Sequence, residues 1–342
     1  MLFSFIQNLI MEYIKLPNSD LKVSRIAFGA WPIVGGFNWG PQDDKDSKAA
    51  LSAAFEAGIN FFDTAEAYGD GKSEKLIAEV LNAWRDKIII ATKVSPQSFK
   101  YEDLKNACEN RLKLLKTEYV DMLQLHWPNK QVPVQETIQA LEDLKSEGKI
   151  LSYGLSNFGK NDLEEAMTSG ARPASNQLPY NLIWRAVEFE IIPACQKYNI
   201  PLLCYMPIMQ GMLAGKFKNA DEVPEDRART RHFSSKRPQT RHKEAGLEEE
   251  TFDTLDKIRL LAEEINVSMA DLSMAWLLAQ PGVASIIVGA RNENQVKRNV
   301  KAIHTSLSPG VIQKLNEITE PLKEKLGKNA DMWQGSDESR IK

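Results

Sequence analysis

Short apolar runs alternate with amphipathic segments along almost the whole chain. The runs hold four to six residues, are rich in Val, Ile, Leu and Phe, and predict eight buried β-strands: residues 25–28, 59–62, 88–92, 120–125, 150–155, 174–177, 202–205 and 285–288. Between them, apolar positions recur at the i, i+3, i+4 spacing of helices: residues 47–57, 73–84, 104–115, 134–147, 162–169 and 186–198. Gly58, Gly148 and Gly170 follow three of these segments, as helix-ending glycines do.

The alternation of strand and helix favours a parallel sheet, and eight such units favour its closure into a barrel. We therefore predict an α/β fold, a (β/α)8 TIM barrel, with a capping hairpin in residues 13–23 and a long loop after the seventh strand. Residues 12–325 would form the barrel, with an extension of uncertain role at 1–11 and a tail at 326–342. Catalytic residues of such barrels lie at the C-terminal ends of the strands.

The composition narrows the choice of partners and compartment. The 342 residues carry a formal net charge of −3 with Lys and Arg spread throughout, so neither nucleic acid nor an anionic membrane is an expected partner. Cys108, Cys195 and Cys204 are odd in number and lack metal-site spacing, which favours reduced thiols, a cytoplasmic protein and no metal site. The apolar residues 1–11 lack a basic segment and a cleavage site, so an extra or alternatively started segment is favoured over a peripheral helix or weak targeting element.

Residues 216–250 interrupt the alternation. This segment is charged, rich in Arg and without helical or strand periodicity. Long aperiodic loops inside a compact domain are usually functional or disordered. We interpret this one as a lid over the barrel mouth, with inert decoration as the alternative.

Polar residues stand at or just past the ends of three predicted strands: Asp63, Tyr68, Lys93 and His126. Burying a polar group where a strand leaves the core is unfavourable unless the group has a hydrogen-bond partner or a functional role. We therefore expect these residues to build one site. Lys93 would lower the pKa of Tyr68, and Asp63 would keep Lys93 charged, which makes a proton-transfer centre. Taken singly, each residue could have a purely structural role instead of a catalytic one, such as helix capping by Asp63. Their convergence indicates an enzyme.

Six segments resemble the aldo-keto reductase superfamily in order and spacing: FFDTAEAYGDGKSE, IIIATKV, DMLQLHWP, LSYGLSNF, NQLPYN and IIVGARNENQVKRN. Within it the chain is similar to bacterial and fungal NADPH-dependent aldehyde reductases and, more distantly, to potassium-channel β subunits. The resemblance implies reduction of a small carbonyl substrate by hydride from a nicotinamide, without a metal. It places the catalytic tetrad on Asp63, Tyr68, Lys93 and His126, with Tyr68 as proton donor and His126 orienting the carbonyl oxygen.

The resemblance also implies a cofactor site of a particular kind, since no GxGxxG follows a strand and a Rossmann half is excluded. Ser156, Asn157 and Gln177 would hold the nicotinamide carboxamide, and Tyr205 would stack on the ring. The phosphates and adenosine would be held by Met206, Pro207, Ile208, Gln210, Gly211, Lys216, Gly289, Arg291, Gln295 and Asn299. Arg291 near a helix N-terminus suits a 2′-phosphate and favours NADPH (NADP) over NADH.

Two departures from the family pattern weaken the pyrophosphate and adenine assignments. Met206 stands where the family often has Ser, and Arg298 stands where an acidic residue is common.

Aromatic residues follow two of the strand ends. Trp31, Phe37 and Trp39 follow the first strand, and Trp127 follows His126, so we expect a pocket that favours apolar or aromatic carbonyls, with Trp31, His126 and Trp127 against the substrate. Trp39 has a surface-loop alternative. Trp184 follows the sixth strand, and the sequence does not decide whether its side chain reaches the barrel mouth.

Two functions from different classes remain. The first is an NADPH-dependent aldehyde or ketone reductase. The second is a cofactor-binding regulatory or redox-sensing subunit on the same barrel, because fold alone does not separate the two. The long basic loop would serve a protein partner as well as a lid. The physiological substrate, the direction of catalysis and the oligomeric state stay open.

Overall fold

A two-stranded hairpin opens the fold of the computed structural model, which describes residues 11–36 and 39–342. Its strands β1 (Tyr13–Lys15) and β2 (Lys22–Ser24) pair antiparallel. Leu16 and Leu21 of the hairpin are buried in the same cluster as barrel-interior residues such as Phe61. The predicted capping hairpin is thereby confirmed. Of the predicted extension 1–11, residues 1–10 lie outside the described residues, and Met11 is buried.

Eight parallel strands close into a barrel, as predicted. In chain order they are β3 (Ile26–Gly29), β4 (Phe61–Asp63), β5 (Ile89–Val94), β6 (Val120–Leu125), β7 (Ile150–Ser156), β8 (Asn176–Pro179), β9 (Leu202–Tyr205) and β10 (Val283–Gly289). Each strand pairs with its neighbour in the chain, and β10 pairs with both β9 and β3 to close the ring. Parallel neighbours need crossover connections, which the helices provide.

The described residues contain ten α-helices. They are α1 (Asp44–Glu56), α2 (Lys72–Leu81), α3 (Tyr101–Leu115), α4 (Val134–Ser146), α5 (Lys160–Thr168), α6 (Ile191–Lys197), α7 (Glu248–Glu264), α8 (Met269–Leu278), α9 (Glu293–Lys301) and α10 (Pro309–Leu326). None of these helices is long and apolar enough to cross a membrane.

The sixth predicted helix, residues 186–198, is shorter in the structure. It divides into a 3-10 turn at Ala186–Glu188 and α6, which begins at Ile191. Pro193 explains the break, because its ring would clash with the carbonyl of Phe189 four residues earlier if the helix continued upstream. Strands β6 and β9 have the predicted bounds, whereas β8 begins two residues later than predicted.

The segment predicted as a long loop lies between β9 and α7, and α7 takes its last three residues. Its middle part is pinned to the body of the protein. The ring of His232 is buried between Thr230 Oγ1 at 3.0 Å and the main-chain oxygen of Ile183 at 2.8 Å. Phe233 is buried as well. This part of the loop is therefore packed against the rest of the protein through buried side chains.

Candidate active site

The C-terminal ends of β4, β5 and β6 carry three of the predicted catalytic side chains. Asp63 is the last residue of β4, Lys93 is the next to last of β5, and His126 directly follows β6. The main-chain N–H of His126 donates to Val94 O at 3.1 Å, which fixes the end of β6 against the end of β5. Neighbouring parallel strands in register thus bring these residues to one end of the barrel, where sites of such barrels lie.

Lys93 and Asp63 form a buried ion pair at the centre of the site. Lys93 Nζ lies 2.6 Å from Asp63 Oδ2 and 2.9 Å from Thr64 O, and the two side chains are 1% and 3% exposed. Charges this deep are tolerated only when they are paired and hydrogen-bonded. Burial acts to lower the pKa of Lys93, but Asp63 and Tyr68 outweigh it, so the pKa is raised and the ammonium stays charged.

Tyr68 lies in the loop between β4 and α2, with its hydroxyl 3.3 Å from Lys93 Nζ. Burial raises the pKa of Tyr68, Lys93 lowers it and Asp63 raises it, with a net raised value. The sequence predicts that Lys93 lowers the pKa of Tyr68. Lys93 does have this effect, but the effect of burial is larger. The phenol therefore holds its proton at neutral pH and faces the one cation that would stabilise its phenolate.

His126 places its ring edge-on to Tyr68, with ring centroids 6.3 Å apart and planes at 83°. Burial, with the nearby Lys93 charge, lowers the pKa of His126 to about 3. The imidazole is therefore neutral at physiological pH. A neutral imidazole keeps one N–H that donates a hydrogen bond without carrying a charge into the site.

The second oxygen of Asp63 accepts two amide donors from inside the barrel. Gln124 Nε2 lies 3.0 Å and Gln177 Nε2 lies 2.8 Å from Asp63 Oδ1. Gln124 was not among the predicted site residues. A signal for it exists: it stands two positions before His126 among the apolar residues Met122, Leu123 and Leu125, and residues two apart share a face.

The residues predicted to hold a nicotinamide carboxamide end β7 and lie on β8. Ser156 is the last residue of β7, and Gln177 is on β8. Asn157 adopts φ 62°, donates from Nδ2 to His126 O at 3.0 Å and accepts from Tyr205 Oη at 2.7 Å. Asn157 Nδ2 also lies 3.2 Å from Ser156 Oγ, so Ser156, Asn157 and Tyr205 are hydrogen-bonded to one another, whereas the Gln177 amide joins the tetrad through Asp63.

The segment after β9 contains an unusual concentration of left-handed backbone. Met206, Met209 and Gln210 have φ values of 59°, 43° and 52°, and Gly211 has 101°. Non-glycine residues in this region store strain, which is concentrated at functional sites. The segment also contains Pro207 and Ile208, and the aliphatic part of Lys216 lies against Gly211. Arg227 points its Nη1 at Gln210 O, 3.5 Å away, a cation that the sequence did not single out.

Arg291 directly precedes Asn292, the N-cap of α9. Its Nε donates to Gln42 Oε1 at 2.7 Å and its Nη2 to Pro41 O, and it makes no ion pair with a carboxylate in the described residues. Gln295 accepts from the main-chain N–H of Arg291 at 2.9 Å, and Asn299 donates to Gly289 O at 3.2 Å. The structure thus holds an uncompensated guanidinium in a fixed position. Gln42, which orients it, was missed because it lies far away in the sequence.

Aromatic rings surround the tetrad. Trp31 stacks on Tyr68 with centroids 5.6 Å apart, and Trp39 meets Trp31 edge-on at 5.6 Å. Phe37, predicted for the same wall, lies outside the described residues. Trp184 is fully buried in the protein interior beside His232, 5.4 Å between ring centroids, so the structure favours packing for it over a place at the mouth.

The C-terminal tail reaches this site, which the sequence did not indicate. Trp333 lies 5.9 Å from Trp127, centroid to centroid, and the guanidinium of Arg340 lies over Trp127 at 3.8 Å. Arg340 also forms two hydrogen bonds of 2.8 and 2.9 Å with the fully buried carboxylate of Asp331. The main-chain N–H of Arg231 in the long loop donates to Met332 O at 2.8 Å. Loop and tail are therefore hydrogen-bonded to each other, and the tail brings Trp333 and Arg340 against Trp127.

Within residues 11–36 and 39–342, no three His, Cys, Asp or Glu side chains are grouped closely enough to hold a metal ion. The side chains at this site are a buried lysine–aspartate pair, a protonated phenol and a neutral imidazole. Such a group can deliver a proton to a nearby oxygen.

Comparison with known sequences gives relatives that span nearly the whole chain. A sequence model described as the Aldo/keto reductase family matches residues 25–320. The aldo-keto reductase YhdN of Bacillus subtilis is 32% identical over 320 residues, covering 91% of this chain and 94% of that protein. A probable voltage-gated potassium channel subunit beta from Oryza sativa is 29% identical over 328 residues, covering 91% and 97%. An NADH-specific methylglyoxal reductase of Escherichia coli is 28% identical over 343 residues, covering 92% and 100%.

Solved structures agree in fold. The glycerol dehydrogenase from Gluconobacter oxydans superposes with a TM-score of 0.77 at 28% identity, covering 90% of this chain and 95% of that one. An aldo-keto reductase from Klebsiella pneumoniae, determined in complex with NADPH, superposes with a TM-score of 0.71 at 26% identity, covering 91% and 95%.

Proposed function

This chain belongs to the aldo/keto reductase family, and from that premise we propose that it reduces an aldehyde or ketone to an alcohol with NADPH, using Tyr68 as proton donor. One observation carries the proposal. The Tyr68 hydroxyl lies 3.3 Å from a lysine that is itself held at 2.6 Å by Asp63. An ordinary surface tyrosine would have no such neighbour.

The side chains divide the chemistry of the reduction. Tyr68 keeps its proton until the carbonyl oxygen gains charge, and then donates it. The charge of Lys93 stabilises the phenolate that remains, so its effect is larger in the transition state than in the ground state. His126, uncharged because of burial, donates a hydrogen bond that orients the carbonyl oxygen toward Tyr68. Asp63 fixes Lys93 in position and in charge.

The residues present suit a nicotinamide cofactor. When bound, it would supply the hydride for the carbonyl carbon. Ser156, Asn157 and Gln177 offer hydroxyl and amide groups for the carboxamide, and Tyr205 offers an aromatic face. The strained segment containing Met206, Pro207, Ile208, Gln210 and Gly211, with Lys216, would hold the pyrophosphate.

NADPH is favoured over NADH by Arg291. Its guanidinium lacks a carboxylate partner in the described part of the chain and stands at the start of α9, where both charge and helix dipole attract a 2′-phosphate. Gly289, Gln295 and Asn299 form the surrounding turn. The E. coli relative whose name states NADH specificity makes the comparison of both cofactors a necessary part of any assay.

The substrate would be a small carbonyl compound with an apolar or aromatic body. Trp31 packs on Tyr68, and Trp127 directly follows His126, which is itself expected to contact the substrate. Indole faces favour apolar partners, so we expect aromatic aldehydes to have lower KM values than sugars.

A second candidate is a regulatory subunit that binds NADPH and senses redox state. The similarity to the rice protein named as a probable potassium channel subunit beta favours it. The two candidates differ in turnover, because a sensor would bind NADPH tightly and oxidise it very slowly with every carbonyl.

Absorbance of NADPH, and separately of NADH, across a panel of aromatic, aliphatic and sugar aldehydes tests the proposal. We expect brisk NADPH oxidation that is lost in Tyr68→Phe. Tight binding without turnover for any carbonyl would reject the reductase in favour of the sensor.

A further inference from the structure

Gln124 is a buried polar side chain that is hydrogen-bonded to the tetrad. It lies on β6, is fully buried, and points an amide into a barrel whose interior is otherwise largely apolar. Its Nε2 donates to Asp63 Oδ1 at 3.0 Å, and its Oε1 accepts from Gln177 Nε2 at 3.1 Å. Burying an amide is unfavourable without such partners, so these two bonds are what permit a glutamine here.

The strand register leaves space for this arrangement. Gln124 pairs with Lys93 on one side and with Gly154 on the other. A Cβ on Gly154 would lie 3.2 Å from Gln124 Cγ and 3.0 Å from Met122 Sδ, closer than side chains normally pack. A residue with a side chain at position 154 would therefore push Gln124 away from Asp63.

We propose that Gln124 is a positioning residue for proton transfer, which holds Gln177 and Asp63 as one hydrogen-bonded unit and thereby sets the acidity of Tyr68. The proposal rests on the proposed function. Gln177 Nε2 bonds both Gln124 and Asp63, so the side chain expected to meet the nicotinamide carboxamide is tied directly to the aspartate of the tetrad. Gln124 touches neither substrate nor cofactor in this account and acts through these two neighbours.

The electrostatic consequence has a definite sign. Two amide N–H groups on Asp63 Oδ1 partly offset the negative field of the carboxylate. The groups facing Tyr68 are Lys93, Asp63 and the ring of His126, and Tyr205 is close enough to interact with it. Of these, only the field of Asp63 changes directly when Gln124 is replaced. Less compensation at Asp63 makes the Tyr68 proton harder to remove.

The test uses Gln124→Met, which keeps the length of the side chain and removes both hydrogen bonds. The readouts are kcat against pH in the alcohol-oxidation direction, where Tyr68 must lose its proton, and cofactor binding by quenching of protein fluorescence. We expect kcat to fall roughly 10-fold and its rising limb to move to higher pH, with cofactor binding altered much less.

Gln124→Glu is the second variant and carries the test even if the Met variant does not fold. It keeps the shape and the acceptor for Gln177, but above the pKa of the new carboxyl it sets a carboxylate against Asp63. We expect the ratio of its kcat to that of the wild type at the same pH to be low at high pH and to rise toward 1 as the pH falls, because the protonated carboxyl then donates to Asp63 in place of the amide. A side chain that only filled space would not show this recovery.

Ser152→Ala is the matched control, since Ser152 is a buried residue of β7 whose hydroxyl has no hydrogen-bond partner in the described structure. Its kcat–pH curve should superpose on the wild type. A Gln124→Met curve that also superposes, or a Gln124→Glu curve without recovery at low pH, would overturn the proposal while leaving the reductase intact. A wild-type protein that binds NADPH without any turnover would overturn both.

Discussion

The indole of Trp333 lies parallel to the phenol ring of Tyr205, with the ring planes 12° apart and the centroids separated by 6.3 Å. Tyr205 ends β9 and is the ring on which a nicotinamide is expected to stack. A residue from the C-terminal tail therefore stacks on the ring that we propose for the nicotinamide. We therefore predict that cofactor binding and the position of the tail are linked.

Replacement of Trp333 by Ala is expected to speed cofactor association. The ring pair must separate or slide when the nicotinamide reaches Tyr205, and an aromatic pair is worth about 0.5–1.5 kcal/mol. We predict a roughly 2- to 10-fold faster association of NADPH in stopped-flow fluorescence. Trp84→Ala is the control, because Trp84 is exposed and pairs with Phe55 instead. Equal association rates for wild type and Trp333→Ala would show that Trp333 does not compete with the cofactor.

Arg291→Ala is expected to discriminate between the two nicotinamide cofactors. Loss of a charge-assisted hydrogen bond to a 2′-phosphate should weaken NADPH binding by about 10- to 100-fold, and NADH has no such phosphate to lose. Dissociation constants for both cofactors, from fluorescence titration, measure the effect. Lys297→Ala, which removes an exposed cation of the same helix, should leave both constants nearly unchanged. An equal loss of affinity for NADH would assign Arg291 a role in holding the turn.

Glu74 is expected to make stability depend on pH. This fully buried carboxyl of α2 accepts from Thr92 Oγ1 at 2.6 Å and lies 3.4 Å from Arg111 Nη1. Burial raises its pKa from 4.5 to about 7, with partial opposition from Arg111. The folded state therefore holds the proton more tightly than the unfolded chain. The contribution of protonated Glu74 to the free energy of unfolding is therefore complete below the pKa of this carboxyl in the unfolded chain. It is lost as the pH rises through about 7, the pKa in the folded protein.

Urea unfolding of wild type and Glu74→Gln at pH 5 and pH 8 measures this effect. The difference in unfolding free energy between the two proteins should change by on the order of 3 kcal/mol between those pH values, in favour of the Gln variant at pH 8. Parallel pH profiles for the two proteins would contradict the burial of an ionisable proton at this position.

His126 should contribute no ionisation near neutrality. Its pKa of about 3 leaves the ring uncharged throughout the range in which a free histidine titrates. We predict that carbonyl reduction by the wild type and by His126→Gln has the same shape of kcat/KM against pH between pH 5.5 and 8, with a lower plateau in the variant. A change of kcat/KM with pH near pH 6.5 that is present in the wild type and absent in His126→Gln would show that the imidazole of His126 titrates there.

The barrel and the meeting of Asp63, Tyr68, Lys93 and His126 at one end of it could be predicted because their signals are local. A buried strand of six residues ending in a polar group identifies β6 with His126, and the same reasoning applies to Lys93 on β5. Gln124 was overlooked because a single glutamine hardly alters the apolar pattern of its strand. Its significance comes from Asp63, sixty-one positions away.

The tail and the long loop were beyond sequence reasoning for a different reason. The stacking of Trp333 on Tyr205 and of Arg340 on Trp127 joins segments with no shared periodicity, far apart in the chain. The lid interpretation of the long loop also missed its anchor, the buried ring of His232. Such contacts follow from tertiary packing, which no local pattern records.

A single-turnover experiment tests the central claim most directly. Wild-type protein and Tyr68→Phe are each loaded with one equivalent of NADPH and mixed with an aromatic aldehyde, and the decay of the bound NADPH is followed. We predict rapid decay in the wild type and a rate lower by about 10² to 10⁴ in the variant, with the NADPH dissociation constant unchanged. Equal decay rates in the two proteins would contradict the assignment of Tyr68 as the proton donor.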